Sequence, residues 1–338
     1  MGFVWDSLTL SRIDLLYGNL VIIFYLTLAG ASILVINLYD YNQNRYRVFS
    51  KLRTILPYLL QFTFGGLFSA FFIFYTRSAS VWASWPFLLF LLFFLIGNEL
   101  FRRQYQRLVF QINIYFLTLF SYAIFAVPIL LGKIGAWIFI ISGLISLVLI
   151  ILIICLFFKL IPKKILQRKK LLMISISSVY IFFNILYFTN LIPPVPLALK
   201  ASGIYHSIVK TAAGYSVTYE KPLWYQFYRE FSYTFNWRPG ASIVSYSAIF
   251  TPINIAVPIF HRWSFYDQEK NKWVELGRYG FPITGGRDNG YRGYTIKSGI
   301  MPGLWRVDVI TERGQVLGRT KFKVVQTNTE PALEKKVK

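Results

Sequence analysis

Cysteine and histidine are both scarce in this sequence. Its 338 residues include one cysteine, Cys155, and two histidines, His206 and His261. A single cysteine excludes an intramolecular disulfide framework and a cysteine-based metal site. Two histidines do not favour a histidine-rich metal site either. We therefore predict that the chain has no metal site and no cofactor.

Acidic residues are also few, at 14 against 36 lysines and arginines. The excess is shared along the chain, with a net charge of +12 over residues 1–199 and +10 over residues 200–338. A basic chain can bind nucleic acid, but in the second part basic residues alternate with acidic ones and no nucleic-acid motif accompanies them. We do not predict a nucleic-acid partner.

Charged residues make up only 15% of the chain, whereas 55% of it is hydrophobic. This is far more apolar than the core of a soluble domain requires. Six apolar runs reach the length of about 20 residues that crosses a bilayer, at about 17–39, 54–75, 82–101, 108–131, 135–158 and 171–191. We therefore predict an α-helical transmembrane bundle of six spans over residues 1–192.

Basic residues are concentrated on one side of the predicted bundle. The segments after the first, third and fifth spans contain most of them: Arg45, Arg47, Lys51, Arg53, Arg102, Arg103, Arg107, Lys159, Lys163, Lys164, Arg168, Lys169 and Lys170. The opposite side has Arg12, Arg77, Lys133 and Lys200. The side with more basic residues is normally cytoplasmic, so both termini are predicted to lie outside the cytoplasm.

One carboxylate, Glu99 in "IGNELFRRQ", lies at the end of a predicted span. An ionisable residue within a span can be an ion or proton site, which would favour a transporter or an enzyme acting on a lipid-linked substrate. Arg102 and Arg103, however, follow three and four residues later on the same helix face. We favour an ion pair at the membrane interface, because no second buried acid accompanies Glu99 and the spans show no internal repeat.

A proline-rich stretch, "NLIPPVPLALK", follows the sixth apolar run. Its prolines prevent a continued helix and predict an extended connector over residues 193–199. From about residue 200 the hydrophobic period changes to two, in segments such as "SIVSYSAIF" that are separated by turn signals. About seven or eight such strands predict an all-β, immunoglobulin-like sandwich over residues 200–325. The polar end, residues 326–338, is predicted to be a disordered tail.

Alternation within the segment "WRVDVITE" predicts which side chains form the core of this β-domain. Trp305, Val307 and Val309 should face inward, because alternate residues of a strand share one face. Arg306 and Asp308 should face water.

The segment "GGRDNGYRGY", residues 285–294, is unusually rich in glycine. It matches neither spacing of the phosphate-binding glycine loops, and a strand-like segment rather than a helix follows it. Asn289 and Gly290 instead predict the turn of a β-hairpin, because such turns need positive φ angles. The alternative is a binding loop in which Arg287 and Arg292 present guanidinium groups to an anionic partner.

Aromatic residues fill half of the segment "PLWYQFYREFSYTFNW". Four of them have the spacing of one helix face: Trp224, Phe227, Tyr228 and Phe231. This spacing predicts a short helix with an aromatic stripe. The stripe either packs against the sheet, as most aromatic stripes do, or rests on the membrane interface, where tryptophan and tyrosine are favoured.

His206 and His261 are the candidates for a general base, with Glu220 or Asp288 as the group that orients the ring. The sequence has no motif for an activated serine nucleophile. We favour structural hydrogen bonds for both histidines and predict no catalytic residue.

Several segments together resemble one known family: "LIPPVPLALKASGIYH", "SVTYEKPLWYQFY", "IFHRW", "GGRDNGYRGYTIK" and "GLWRVDVITERGQVLGRTKFKV". The resemblance is to bacterial membrane proteins with a DUF2914 domain, a domain without a known function, and it covers about residues 190–325. It implies a bacterial cell membrane and an extracytoplasmic β-domain that follows several membrane spans. It brings no catalytic residue.

We therefore expect an integral protein of the bacterial cytoplasmic (inner) membrane, with both termini extracytoplasmic. The β-domain is expected to bind an envelope component, which is another envelope protein, an anionic glycan or a membrane lipid. The expected recognition surface consists of Arg287, Arg292, Trp224 and Tyr228. The alternative is a transporter, or an enzyme for lipid-linked substrates, that depends on Glu99.

Overall fold

The computed structural model describes residues 3, 6–7, 15–41, 50–78, 80–212, 214–222, 224–226, 230–252, 255–286 and 289–338. The chain forms two compact units, and the main division between them falls after Pro196. The first unit is helical and the second is β-rich. Some residues discussed above lie outside the described ranges: Arg12, Arg45, Arg47, Phe227, Tyr228, Arg287 and Asp288.

Six α-helices form the described part of the first unit. They are α1 (Leu16–Tyr41), α2 (Ser50–Ser78), α3 (Val81–Gly97), α4 (Leu108–Leu131), α5 (Ala136–Leu160) and α6 (Pro162–Phe188). Gly132 ends α4 with a φ of 65°, and glycine is favoured at the end of a helix because it adopts positive φ easily. Pro162 begins α6, and proline is favoured in the first turn of a helix.

Five of the six helices are long and apolar enough to cross a membrane, and α3 is the shorter exception. The predicted third span extended to Phe101, but α3 ends at Gly97 after 17 residues. Gly97 and Asn98 both have low helix propensity, and Asn98 is followed by a separate 3₁₀ segment, Leu100–Gln106.

Buried polar side chains connect the helices at one end of this unit. Asn37 of α1 donates a hydrogen bond to Gln111 Oε1 of α4 at 2.6 Å. Gln111 donates to the carbonyl of Tyr105 at 2.5 Å, and the Tyr105 hydroxyl donates to Asn98 Oδ1 at 2.5 Å. Asn98 in turn donates to the carbonyl of Gln61 in α2 at 2.8 Å. Such bonds satisfy polar groups that would otherwise be costly in an apolar environment, and they fix neighbouring helices against one another.

The described part of the second unit contains eleven strands. They are β1 (Ala198–Tyr205), β2 (Ser207–Thr211), β3 (Gly214–Glu220), β4 (Thr234–Trp237), β5 (Ile243–Phe250), β6 (Ala256–Asp267), β7 (Lys272–Thr284), β8 (Tyr291–Lys297), β9 (Gly303–Thr311), β10 (Val316–Gln326) and β11 (Leu333–Val337). Three sheets result, with the orders β1-β5-β8, β4-β10-β9-β6-β7 and β11-β3-β2. The strand pairs are antiparallel except for β4 and β10, which are parallel.

The main core of the β-rich unit joins the five-stranded sheet to residues of β1 and β5. Trp263, Trp305 and Phe322 are wholly buried in it, and the Trp305 indole N–H donates to the Met301 carbonyl at 2.8 Å. Large aromatic side chains that are buried with their polar atom paired contribute strongly to a core. The inward orientation predicted for Trp305 and Val307 is confirmed, because both belong to this core, and Val309 is buried as well, at 2% exposed.

The glycine-rich segment is not the turn of a hairpin. It connects β7, which pairs with β6 in the five-stranded sheet, to β8, which pairs with β5 in a different sheet. Gly290 has the predicted positive φ, at 82°, and a Cβ atom there would lie 2.8 Å from the carbonyl carbon of Ile249. Glycine is therefore needed at this position, as predicted, but for a crossing between sheets. Local turn chemistry does not specify which strand each arm pairs with.

The C-terminal residues differ from the predicted disordered tail. Leu333–Val337 forms β11, which pairs with β3 along its whole length. Glu334 of this strand pairs with Lys221 at 3.2 Å and accepts a hydrogen bond from the Tyr219 hydroxyl at 3.1 Å. All five residues of β11 are exposed, so the strand needs no apolar alternation and its sequence gives no period-two signal.

His261 of β6 is wholly buried and links the five-stranded sheet to β5 and β8. Its Nε2 lies 2.8 Å from Ser247 Oγ and its Nδ1 lies 2.9 Å from Thr295 Oγ1. The Trp263 indole N–H also donates to Thr295 Oγ1, at 3.2 Å. Burial disfavours the charged ring and lowers the pKa of His261 to about 3.

We predict that the β-rich unit loses stability as the pH falls below 6.5. In that range the unfolded chain protonates His261, whose ordinary pKa is 6.5, whereas the folded chain keeps it neutral down to about pH 3. One such proton lowers the free energy of unfolding by about 1.4 kcal/mol per pH unit. Hydrogen exchange of β6 peptides in the full-length protein, corrected for intrinsic exchange at each pH, measures this slope. His261→Gln should remove the contribution of this one proton, about 1.4 kcal/mol per pH unit, from the slope. An unchanged slope would contradict the assignment.

Candidate functional site

The predicted recognition residues that the structure describes lie on two different segments. Trp224 lies in a 3₁₀ turn of three residues, Trp224–Gln226, and is 89% exposed. This turn replaces the start of the predicted aromatic helix, and the strand that follows begins only at Thr234. Arg292 lies on β8, opposite Ala248 of β5, with one guanidinium nitrogen close to Gly214. Tyr228 and Arg287 lie outside the described residues.

Glu99 is exposed and lies between α3 and the 3₁₀ segment. The buried polar connection beside it uses the neighbouring residue, Asn98. Arg103 is exposed as well, and the side chain of Arg102 lies outside the described part of the chain. The interfacial ion pair and the alternative transport function both stay predictions.

His206 and Glu220, a candidate base and its candidate orienting group, lie in direct contact. Their Nε2 and Oε1 atoms are 2.8 Å apart, and the His206 ring stacks on Phe235 with centroids 4.0 Å apart. Glu220 also accepts hydrogen bonds from the backbone N–H and the side-chain amide of Asn236, at 2.7 and 2.5 Å. Both carboxylate oxygens are thus engaged, and the pair ties the end of β1 to β3 and β4.

A cluster of three arginines surrounds Asp308 on the outer face of the five-stranded sheet. Asp308 accepts hydrogen bonds from Arg262 at 2.8 Å and from Arg319 at 2.6 and 3.2 Å. The Nε atom of Arg306 lies 3.4 Å from the same carboxylate. Asp308 is wholly buried, so the prediction that it faces water was wrong.

The register of the sheet explains this burial. Arg262 of β6 and Arg319 of β10 lie directly opposite Asp308 on its two neighbouring strands. Alternation correctly places Asp308 on the outer face, but the two long side chains cover it. Opposite charges at directly paired positions attract, and arginine presents a planar fork that suits a carboxylate. The signal in the sequence was the pattern of arginines in three strands, which becomes informative only when the register is known.

The carboxylate stays charged despite its burial. Burial raises the pKa of Asp308, but hydrogen bonds from Arg319 and Arg262 and the charges of Arg319 and Arg306 outweigh that effect, so its pKa lies below the ordinary value. Three guanidinium groups face one carboxylate, so two positive charges remain in excess. Within the described residues, the Nε atoms of Arg262 and Arg306 have no hydrogen-bond partner.

Aromatic and lysine side chains continue this basic face. The Arg306 guanidinium lies over the Trp273 ring, 4.7 Å from its centroid, and the ammonium of Lys321 lies 5.9 Å from the same ring. Cations over an indole face are attracted by its electron-rich surface. Lys321 and Lys323 are both exposed on β10. The face therefore presents positive charge to its surroundings.

A polar pocket of about 410 Å³ lies beside the arginine cluster. Its charged lining residues are Lys200, Arg319, Lys321 and Glu230. Two hydroxyl groups, of Ser202 and Thr320, lie 3.3 Å apart in its wall. We call it the β1–β10 pocket.

Among the described residues that line the β1–β10 pocket, the one acid is Glu230, and it already has basic partners. It forms ion pairs with Lys336, at 3.9 Å, and with Lys338. Lys200, Arg319 and Lys321 therefore dominate the charge of the pocket. Three basic groups and two hydroxyls form a suitable arrangement for an anion such as a phosphate or a carboxylate.

We predict that Asp308→Asn destabilises the β-rich unit by about 3–5 kcal/mol, because it leaves three guanidinium groups without their shared carboxylate. Glu312→Gln removes the same charge from an exposed position just after β9 and should cost less than about 0.5 kcal/mol. Hydrogen exchange of β9 and β10 in the full-length protein gives both values. Equal effects of the two substitutions would show that Asp308 contributes to stability only through its net charge and not through its contacts with the three arginines.

Comparison with known proteins gives a match for one part of the chain. Residues 257–324 match the family DUF2914, described as a protein of unknown function. Comparison with the curated proteins gives no match. Among solved structures, one similar chain is the Pseudomonas fluorescens alkylpurine DNA glycosylase AlkC bound to DNA containing an abasic site analog. It is 8% identical, covers 91% of this chain and 98% of its own length, and has a TM-score of 0.20, so it supports no argument.

The family match is narrower than the predicted resemblance over about residues 190–325. It runs from β6 to β10 and includes Arg262, Asp308 and Arg319. The predicted resemblance is thus confirmed where the arginine cluster lies, because residues 257–324 match the model of the DUF2914 family, which has no known function.

Proposed function

We propose that the β-rich unit binds an anionic component of the bacterial envelope and that the helical unit anchors it in the cytoplasmic membrane. The observation that carries the proposal is the β1–β10 pocket, in which Lys200, Arg319 and Lys321 meet two hydroxyl groups. The ligand is an envelope glycan or lipid that carries phosphate or carboxylate groups. An envelope protein with an acidic surface is the other partner that this chemistry would accept.

The arrangement of the arginine cluster supports this assignment. Arg319 belongs to both sites, because it bonds Asp308 and lines the pocket. Asp308 therefore holds Arg319 in place before a ligand arrives. A pre-positioned charged group loses less conformational freedom on binding, which favours affinity. Trp224, Tyr228, Arg287 and Arg292 stay further candidates for contact with this partner.

The proposed membrane topology has six spans, with both termini extracytoplasmic. Five helices support it directly by length and composition. The remaining helix, α3, has 17 residues. It is therefore about 26 Å long, compared with a hydrocarbon core of about 30 Å. The basic segments after α1, α3 and α5 support a cytoplasmic location for that side. We further propose that the β-rich unit is an immunoglobulin-like sandwich, with the core around Trp263 and Trp305 between its sheets.

Ligand binding should depend on Lys321 more than on a nearby lysine outside the pocket. We expect Lys321→Gln to weaken binding of a glycerol phosphate oligomer by about ten- to a hundredfold, because a charge-assisted hydrogen bond contributes about 1.5–3 kcal/mol. Lys323→Gln is the matched control, since Lys323 is exposed two residues further along β10 and does not line the pocket. Isothermal titration of the full-length protein in neutral detergent, with an uncharged glycan as a second probe, measures both. Equal losses of affinity in the two variants would show that the ligand responds to general surface charge and not to the β1–β10 pocket.

The topology has its own test. Alkaline phosphatase is active only outside the cytoplasm, so its fusion after Lys338 should be active. Its fusion at Ile161, between α5 and α6, should be inactive, because that connection is on the basic side. Enzyme activity in intact cells, normalised to the amount of each fusion, is the measurement. The reverse pattern would overturn the proposed orientation.

A further inference from the structure

A groove runs between α5 and α6 within the helical unit. Its volume is about 630 Å³, and most of its lining side chains are apolar, with Ile151, Cys155 and Met173 among them. Only 28% of the apolar window in each of these two helices is buried, so much of both helices faces the surroundings of the unit. In a membrane those surroundings are lipid chains.

Two lysines, one from each helix, line this groove. Lys159 lies in the last turn of α5 and Lys169 in the third turn of α6, and both are exposed lining residues. Nearby Lys164 has protein partners, since it donates to Asn37 at 2.9 Å and pairs with Asp40 at 3.5 Å. Within the described ranges, neither Lys159 nor Lys169 has a carboxylate partner.

The length of the groove matches a single leaflet. Along α5 the apolar part of its lining extends from Leu147 to Phe158, which corresponds to about 16 Å at 1.5 Å per residue. The hydrocarbon core of a bilayer is about 30 Å thick, so one leaflet contributes about half of that. An apolar groove of this length, with two lysine side chains in its lining, is complementary in shape and charge to one anionic lipid molecule.

We propose that this groove binds an anionic phospholipid, with an acyl chain along α5 and α6 and the phosphate held by Lys159 and Lys169. The lysine stems cover apolar surface while their ammonium groups reach the headgroup level. A headgroup with net negative charge attracts both ammonium groups, whereas a zwitterionic headgroup brings a cation next to them. The site is independent of the ligand proposed for the β-rich unit.

Cys155 provides a direct test, because it is the only cysteine in the chain, is exposed and lies in the groove wall. Full-length protein in neutral detergent is treated with N-ethylmaleimide, and the modified fraction is followed by intact mass. Phosphatidylglycerol should slow the modification at lower concentration than phosphatidylcholine. The preference should be about fivefold for each lysine. Inorganic phosphate alone should give no protection, since it lacks the acyl chain.

The variants identify the headgroup contacts. Lys159→Gln combined with Lys169→Gln should abolish the preference for phosphatidylglycerol. Lys170→Gln, an exposed neighbour that does not line the groove, should keep it. Native mass spectrometry of the same samples counts bound lipids and gives the preference even if Cys155 reacts slowly. Equal protection by both lipids, or loss of the preference in Lys170→Gln, would overturn the proposal.

Discussion

The β-rich unit depends on the pairing of one buried carboxylate, that of Asp308. A charge removed from water is tolerated only when opposite charges and hydrogen bonds replace its hydration. Arg262 and Arg319 meet this requirement only while β6, β9 and β10 keep their present register. A slip of one residue would exchange the two faces of β9, placing Asp308 in the core and Trp305 outside. The charged outer face and the apolar inner face therefore specify the same alignment.

The same requirement organises the helical unit, where the polar groups are mostly uncharged. Asn37 and Gln111 donate to partners across helices, and Lys164 is neutralised by Asp40. Lys159 and Lys169 are among the basic residues of this unit that have no acidic partner within the described ranges. Two lysines that the fold does not need for its own pairing are the ones that line the lipid-sized groove. The scarcity of acidic residues in the sequence thus leaves basic side chains of the groove without a partner among the described residues.

Sequence patterns predicted those features that depend on neighbours along the chain. Period-two alternation gave the inward side of Trp305, and the composition gave the long apolar helices. The burial of Asp308 could not be predicted, because it depends on arginines from two other strands. Gly290 was recognised as a residue that needs a positive φ, yet the sheet that β8 joins is decided by tertiary pairing. The exposed strand β11 left no hydrophobic pattern at all.

The positive charge on the outer face of the five-stranded sheet has two distinguishable parts. Guanidinium groups around Asp308 are held in fixed positions by the sheet, and their exposed side-chain fractions, 26% for Arg262 and 25% for Arg319, leave limited access. Lys321 is exposed at the mouth of this arrangement and has an indole face, rather than an acid, near its ammonium. Arginines held by the sheet, combined with an exposed lysine, would suit the proposed class of ligand, in which an anionic group recurs while the remaining structure varies. Repeated phosphate or carboxylate groups of an envelope polymer have that property, whereas a single rigid metabolite would need a more enclosed pocket.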